Sequence, residues 1–273
     1  MSKLNTVQLY NVQDWPYTHD SMKPGSYRFY GPDREDLFER NLKYMPDDWM
    51  YKDTPVVYNF NSHGLRMTKE LDTLSSNLVY VSGTSYAMGI GIPEEKRFSD
   101  IIADRLNFDY INYAGPTFSI KLQVYSFFNY IKKFTTPKIC IFEYPPIHGY
   151  TFFDNDKSLT FSGKHIPLEY PTYIDAYNLL TNTDFLLKEA QCYSTMLREF
   201  CKSLGCKLIE LSYYPDDKFV QDFNLKSIDM DSLNIYNVSE RYARDVMKQN
   251  NNISAHPGTG VHLHTANEIL KDL

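Results

Sequence analysis

The chain has 273 residues, with 28 Lys and Arg against 34 Asp and Glu, for a formal net charge of −6. That balance repels nucleic-acid phosphates, which argues against a nucleic-acid reader, and no stretch approaches the roughly 20 apolar residues of a membrane span. With 42% hydrophobic and 23% charged residues, the composition is that of a folded globular chain.

In chain order, the opening Met1-Ser2-Lys3-Leu4-Asn5-Thr6 has no apolar secretory core, so a cytoplasmic product is expected. Residues 1–55 are broken by Pro16, Pro24, Pro32, Pro46 and Pro55 and read as an aromatic extension with one helix after Pro32, from Asp33 to Leu42. Such an arm can lie across its own domain or reach a neighbouring subunit. From residue 56 onward a single larger domain is expected. Leu78-Val79-Tyr80-Val81, ending at Gly83, reads as a buried strand, and Arg97 to Leu106 as an amphipathic helix. Tyr110 to Tyr113 is a second strand, Ile120 to Phe134 a helix, and Lys138 to Tyr144 a third strand stopped by Pro145-Pro146. Residues from about 145 to 180 have no clean period, carry many rings, and read as an insertion over one end of the sheet. Asp184 to Leu204 is the longest helix, closed by Gly205, and is followed by a strand from Cys206 to Tyr213. Helices from Glu240 to Lys248 and Thr259 to Leu273 complete the chain.

Strands alternating with helices predict a three-layer α/β/α sandwich with a mainly parallel sheet. The four cysteines, Cys140, Cys192, Cys201 and Cys206, contain no C-x-x-C pair and read as reduced thiols. The 23 Tyr and 17 Phe exceed what one core needs, so some rings are expected to face a ligand or partner.

In such sheets reactive groups sit at the carboxyl ends of strands. That rule selects Gly83-Thr84-Ser85, Ala114-Gly115-Pro116, Tyr144-Pro145-Pro146 and the loop Ser254 to Gly258 before the last helix. A serine at a strand-to-helix turn has nucleophile geometry, and a histidine brought to the same sheet edge can act as its base. Gly89-Ile90-Gly91 lacks the third glycine of a dinucleotide loop, and the acid run at Asp154 lacks the glycine and final carboxylate of a calcium loop. His262 and His264, two apart, fall on different helix faces and do not form a metal pair. No metal or cofactor is expected.

The segment Tyr80 to Glu95, with Gly83-Thr84-Ser85 and Gly89-Ile90-Gly91, resembles the first block of the SGNH/GDSL hydrolases. Asn112-Tyr113-Ala114-Gly115 resembles their second block, His256-Pro257-Gly258 their last, and Asn61-Ser62-His63-Gly64-Leu65-Arg66 an N-S-x-G-x-R segment upstream of the nucleophile. The resemblance implies that Ser85 attacks an acyl carbonyl, that His256 takes its proton, and that the Ser85 and Gly115 amides hold the oxyanion. The chain departs from the pattern at three places. Thr84 replaces the usual aspartate, Phe142-Glu143-Tyr144-Pro145-Pro146 replaces G-x-N-D and its asparagine donor, and Ile253 stands where the acid three before the histidine belongs. Asp245 is the candidate to orient His256 if residues 248–255 are an insertion; otherwise Ser85 and His256 work as a dyad.

The implied activity is that of a serine ester hydrolase acting on an acylated small molecule or glycan, most plausibly removing acetyl or similar groups. The competing expectation is a structural or binding protein on the same fold with a weakened site. It would dock in an assembly such as a virion, or in a homo-oligomer, through the N-terminal extension.

Overall fold

The computed structural model describes residues 7–11, 18–19, 22–31, 33–42, 47, 52–53, 56–147, 149–154, 157–161, 183–228 and 256–273. Asp245, Ile253, the helix expected over 240–248 and the aromatic stretch 162–182 lie outside them.

The centre is a five-stranded sheet built from β5 (Leu78–Gly83), β6 (Asp109–Ala114), β7 (Ile139–Tyr144), β10 (Lys207–Ser212) and β11 (Lys226–Ser227). Its order is β11-β10-β7-β5-β6 and every pairing is parallel. β5 and β7 are buried along their whole length, which is why their sequences are apolar runs instead of alternations. Helix α3 (Phe98–Leu106) packs on α7 (Thr259–Leu270), and α4 (Ile120–Lys133) packs on α5 (Thr183–Leu204), giving the three-layer α/β/α sandwich the alternation predicts. Gly205, at φ 69°, takes the left-handed residue that ends α5. Two short helices, α2 (Ser85–Met88) and α6 (Lys218–Asp222), follow β5 and β10. Among the described residues no helix is long and apolar enough to cross a membrane.

Much of the ring surplus is interior. Tyr80, wholly buried, has the rings of Phe127 and Tyr130 each 4.9 Å away and that of Phe142 at 6.1 Å. Such pairs each contribute about 0.5–1.5 kcal/mol beyond burial of area.

Residues 7–11 and 18–19 of the N-terminal region pair within the chain itself. β1 (Val7–Asn11) pairs antiparallel with β2 (Thr18–His19) and with β9 (Lys157–Phe161), and β9 pairs with β8 (Tyr150–Asp154), forming a second sheet on the same chain. β3 (Gly25–Tyr27) pairs with β4 (Tyr58–Phe60), and α1 (Glu35–Leu42) stands where the acidic turn after Pro32 puts it. Met22 and Tyr30 join the main core.

The hairpin β8–β9 replaces irregular chain in the expected insertion. Its inward side is lined with hydroxyls, which hydrophobic patterning does not register. Thr151, Ser158 and Thr160 are buried, and Thr151 Oγ1 bonds both Ser119 Oγ (2.5 Å) and Thr160 Oγ1 (2.8 Å).

Candidate active site

The chain leaves β5 toward β6 on one side, then returns past β5 to β7 on the other. The crevice at the carboxyl ends of β5 and β7 is therefore the position where open α/β sheets bind ligands. Ser85 stands there as the first residue of α2. Thr84 caps that helix, its hydroxyl accepting the Tyr86 N–H at 3.2 Å. As the first helical residue, Ser85 has an N–H with no partner within its own helix.

A set of buried residues fixes the turn from below. Gly89 ends α2 at φ 76°, and a Cβ there would lie 2.6 Å from Arg97 Cγ, so glycine is required for conformation and for space. Arg66, fully buried, donates to the carbonyls of Met88 (2.7 Å), Gly89 and Ile92 (2.6 Å), and its guanidinium lies 4.2 Å from the Tyr58 ring centroid. The upstream N-S-x-G-x-R segment thus holds the loop after the nucleophile. Asn61 Oδ1 accepts the His63 and Leu65 N–H groups and shapes the bend that delivers Arg66. Tyr58 donates to Asp33 at 2.6 Å and accepts the Gly91 N–H at 2.8 Å, tying the N-terminal region to the same loop. Arg97 donates to the Arg66 carbonyl at 2.6 Å and to Asp100 at 3.0 Å.

Glu143, at the end of β7, is wholly buried. Its Oε2 accepts both the Thr84 N–H (2.6 Å) and the Thr84 hydroxyl (2.8 Å). The contact needs Gly83 bare, since a Cβ there would stand 2.7 Å from Oε2 and 2.9 Å from Glu143 Cβ. Gln123, also buried, donates to the Glu143 carbonyl at 2.9 Å and anchors the strand end. Burial pushes the Glu143 carboxyl up to about 7, while hydrogen bonds from Thr84 and the Ala87 amide draw it down.

His256 arrives from the turn before α7, and its Nε2 lies 2.9 Å from Ser85 Oγ, across 171 positions of sequence. Ser85 and His256 are both half-buried. The His256 ring meets Tyr86 edge-on at 5.3 Å, and Tyr86 stacks against Tyr214 at 6.1 Å and 19°. Tyr144 is buried, and its hydroxyl donates to Glu210 at 2.9 Å. His262, one turn along α7, is buried and neutral. It accepts the Phe98 N–H at Nδ1, and burial together with the Arg97 and Arg66 charges lowers its pKa to about 3.

Gly115 lies beside Gly83, and its N–H donates to the Gly83 carbonyl at 3.1 Å. The amide that the resemblance assigns to the oxyanion is therefore engaged in the sheet ladder, which leaves the Ser85 N–H as the available donor of that pair. After it, Gly115 to Phe118 form a turn closed at 3.4 Å, with Pro116 second and Thr117 third at φ 60°. That third position normally calls for glycine or asparagine. The Thr117 hydroxyl is buried without a hydrogen-bond partner. Neither Thr117 nor the Thr84–Glu143 contact carries a sequence signal; a threonine after Gly-Pro and a glutamate in an apolar strand are the only marks, and neither is specific.

No family model matches the chain, and no curated protein is similar to it. Among solved structures, it is similar to a protein assigned to the G-D-S-L lipolytic family from Desulfitobacterium hafniense, at 11% identity and TM-score 0.42, over 72% of this chain and 99% of that one. A G-D-S-L family member from Veillonella parvula matches at 12% identity and TM-score 0.36, over 71% and 96% of the two chains. A carbohydrate esterase family 2 enzyme with a carbohydrate-binding domain, from Corynascus thermopiles, matches at 12% identity and TM-score 0.39, over 73% and 66%. The chain has a three-layer α/β/α fold with a parallel central sheet, a serine directly after the first strand of that sheet and a histidine before the last described helix.

Proposed function

We propose that the protein is a serine ester hydrolase of the SGNH type. The observation that carries this is the 2.9 Å contact between His256 Nε2 and Ser85 Oγ at the sheet crevice. With the imidazole proton on Nδ1, Nε2 accepts the serine proton as Oγ attacks the acyl carbonyl. The oxyanion forms at the Ser85 N–H. Collapse breaks the ester bond, and His256 returns the proton to the departing alcohol. Water, deprotonated by His256, then attacks the acyl-serine, releasing the acid and restoring Ser85. The Tyr86–Tyr214 pair beside His256 offers an aromatic wall on which a sugar face can stack, which supports a small or carbohydrate-linked ester. Asp245, from outside the described residues, is the candidate third member.

A second reading, a binding or assembly protein with a weakened site, is favoured by the engaged Gly115 amide and by Glu143 standing in the third block in place of an asparagine donor. Intact-mass detection of a fluorophosphonate adduct, on wild type and Ser85→Ala near pH 8, separates the two. One adduct that disappears in Ser85→Ala is expected; no adduct on folded wild type overturns the esterase.

A further inference from the structure

Resting on the esterase reading, we propose that Glu143 is a positioning residue for the nucleophile, clamping Thr84 from the end of β7 so that Ser85 stays within reach of His256. Two departures from the family pattern meet in one contact here: the carboxylate absent at position 84 stands at position 143, and Thr84 supplies the donors that meet it.

The geometry is demanding on all sides. One oxygen of Glu143 takes two donors from the same residue, at 2.6 and 2.8 Å. The Thr84 hydroxyl is used a second time, as acceptor for Tyr86. Gly83 leaves the space for the carboxylate to enter, and Gln123 fixes the strand that carries it. Without the carboxylate, two donors of the buried Thr84, next to Ser85, lose their acceptor, and the turn moves to find others. A displacement of about 1 Å costs on the order of 10²-fold in rate where reacting atoms must be aligned. An acceptor of the same shape suffices for this role, so glutamine can replace glutamate whereas alanine cannot.

The test is the second-order rate of fluorophosphonate labelling in wild type, Glu143→Gln, Glu143→Ala, Thr84→Val and the Glu143→Ala/Thr84→Val double variant, each checked for folding by circular dichroism. Expected are a rate within about 3-fold of wild type for Glu143→Gln and a loss of roughly 10–100-fold for each of the other single variants. The double variant should fall no further than the slower single, because both members serve one contact. Wild-type labelling by folded Glu143→Ala, or a double variant whose loss is the product of the singles, overturns the proposal. If Glu143→Ala does not fold, Thr84→Val against Glu143→Gln carries the comparison. If wild type itself takes no label, the esterase reading fails separately. Hydrogen exchange of a peptide covering residues 80–90 then decides the clamp with the Thr84 cap intact: faster exchange in folded Glu143→Ala than in Glu143→Gln supports it and equal exchange overturns it.

Discussion

The nucleophile turn is gripped from two sides by buried charged groups of opposite sign. On one side Arg66 donates to three backbone carbonyls of residues 88–92; on the other, Glu143 accepts from the N–H and hydroxyl of Thr84. Burial and the nearby Arg97 charge lower Arg66 to about 10, so it keeps its proton at neutral pH. Burial raises Glu143 to about 7, so its protonation changes within the neutral range. The same turn is therefore held by one permanent charge and one that titrates, and of these two grips only the second responds to pH near neutrality.

The strongest way to break that comparison is Arg66→Met, which removes the guanidinium from three carbonyls, of which, among the described residues, only that of Gly89 keeps another donor, the Ile92 N–H at 3.3 Å. A loss of about 3–5 kcal/mol is expected, read from denaturant unfolding, with labelling at Ser85 abolished. Glu143→Gln sharpens the other side. A carboxyl whose folded pKa is raised favours the folded state when protonated, so wild-type stability from this group is greatest below about pH 4.5 and declines as pH rises toward 7. The glutamine variant removes that slope. It should be more stable than wild type by up to about 3 kcal/mol near pH 8, with no gain below about pH 4.5, measured by thermal melts across that range. The smallest effect concerns the Gly115–Phe118 turn after β6. Thr117→Gly relieves the positive φ and the buried unpartnered hydroxyl, and should raise the melting temperature by the equivalent of about 1 kcal/mol. A lowered melting temperature would show that the Thr117 side chain stabilises its turn.

The parts of the molecule set by local pattern were legible in the sequence. β5, β6, β7 and β10 and helices α3, α4 and α5 lie where apolar runs and 3.6-residue spacing put them, because each element buries a face of its own. The parallel topology leads the sequence to place Ser85 and His256 at one sheet edge, and in the structure His256 Nε2 lies 2.9 Å from Ser85 Oγ. What sequence patterning leaves out is contact between distant polar residues. Glu143 and Thr84 are 59 positions apart, and a glutamate within Ile-Cys-Ile-Phe gives no sign of which donor it meets. Arg66 was visible as part of a motif, but its task depends on carbonyls of a loop 22 to 26 residues later. The β8–β9 hairpin was hidden because its inner side is held by threonine and serine hydroxyls.

The pairing of β1 with β9 joins Val7 to Phe161 and Asn11 to Lys157. One edge of β1 is met by β2 within about ten residues, but its other edge must wait for about 150 further residues before β9 exists. Loop closure over that span is slow and late compared with the neighbouring pair β5–β6, whose ends lie some thirty residues apart. Until then β1 presents that edge bare, so the second sheet is expected to form after the parallel sheet, and its completion sets the interval during which the chain is open to pairing with another copy.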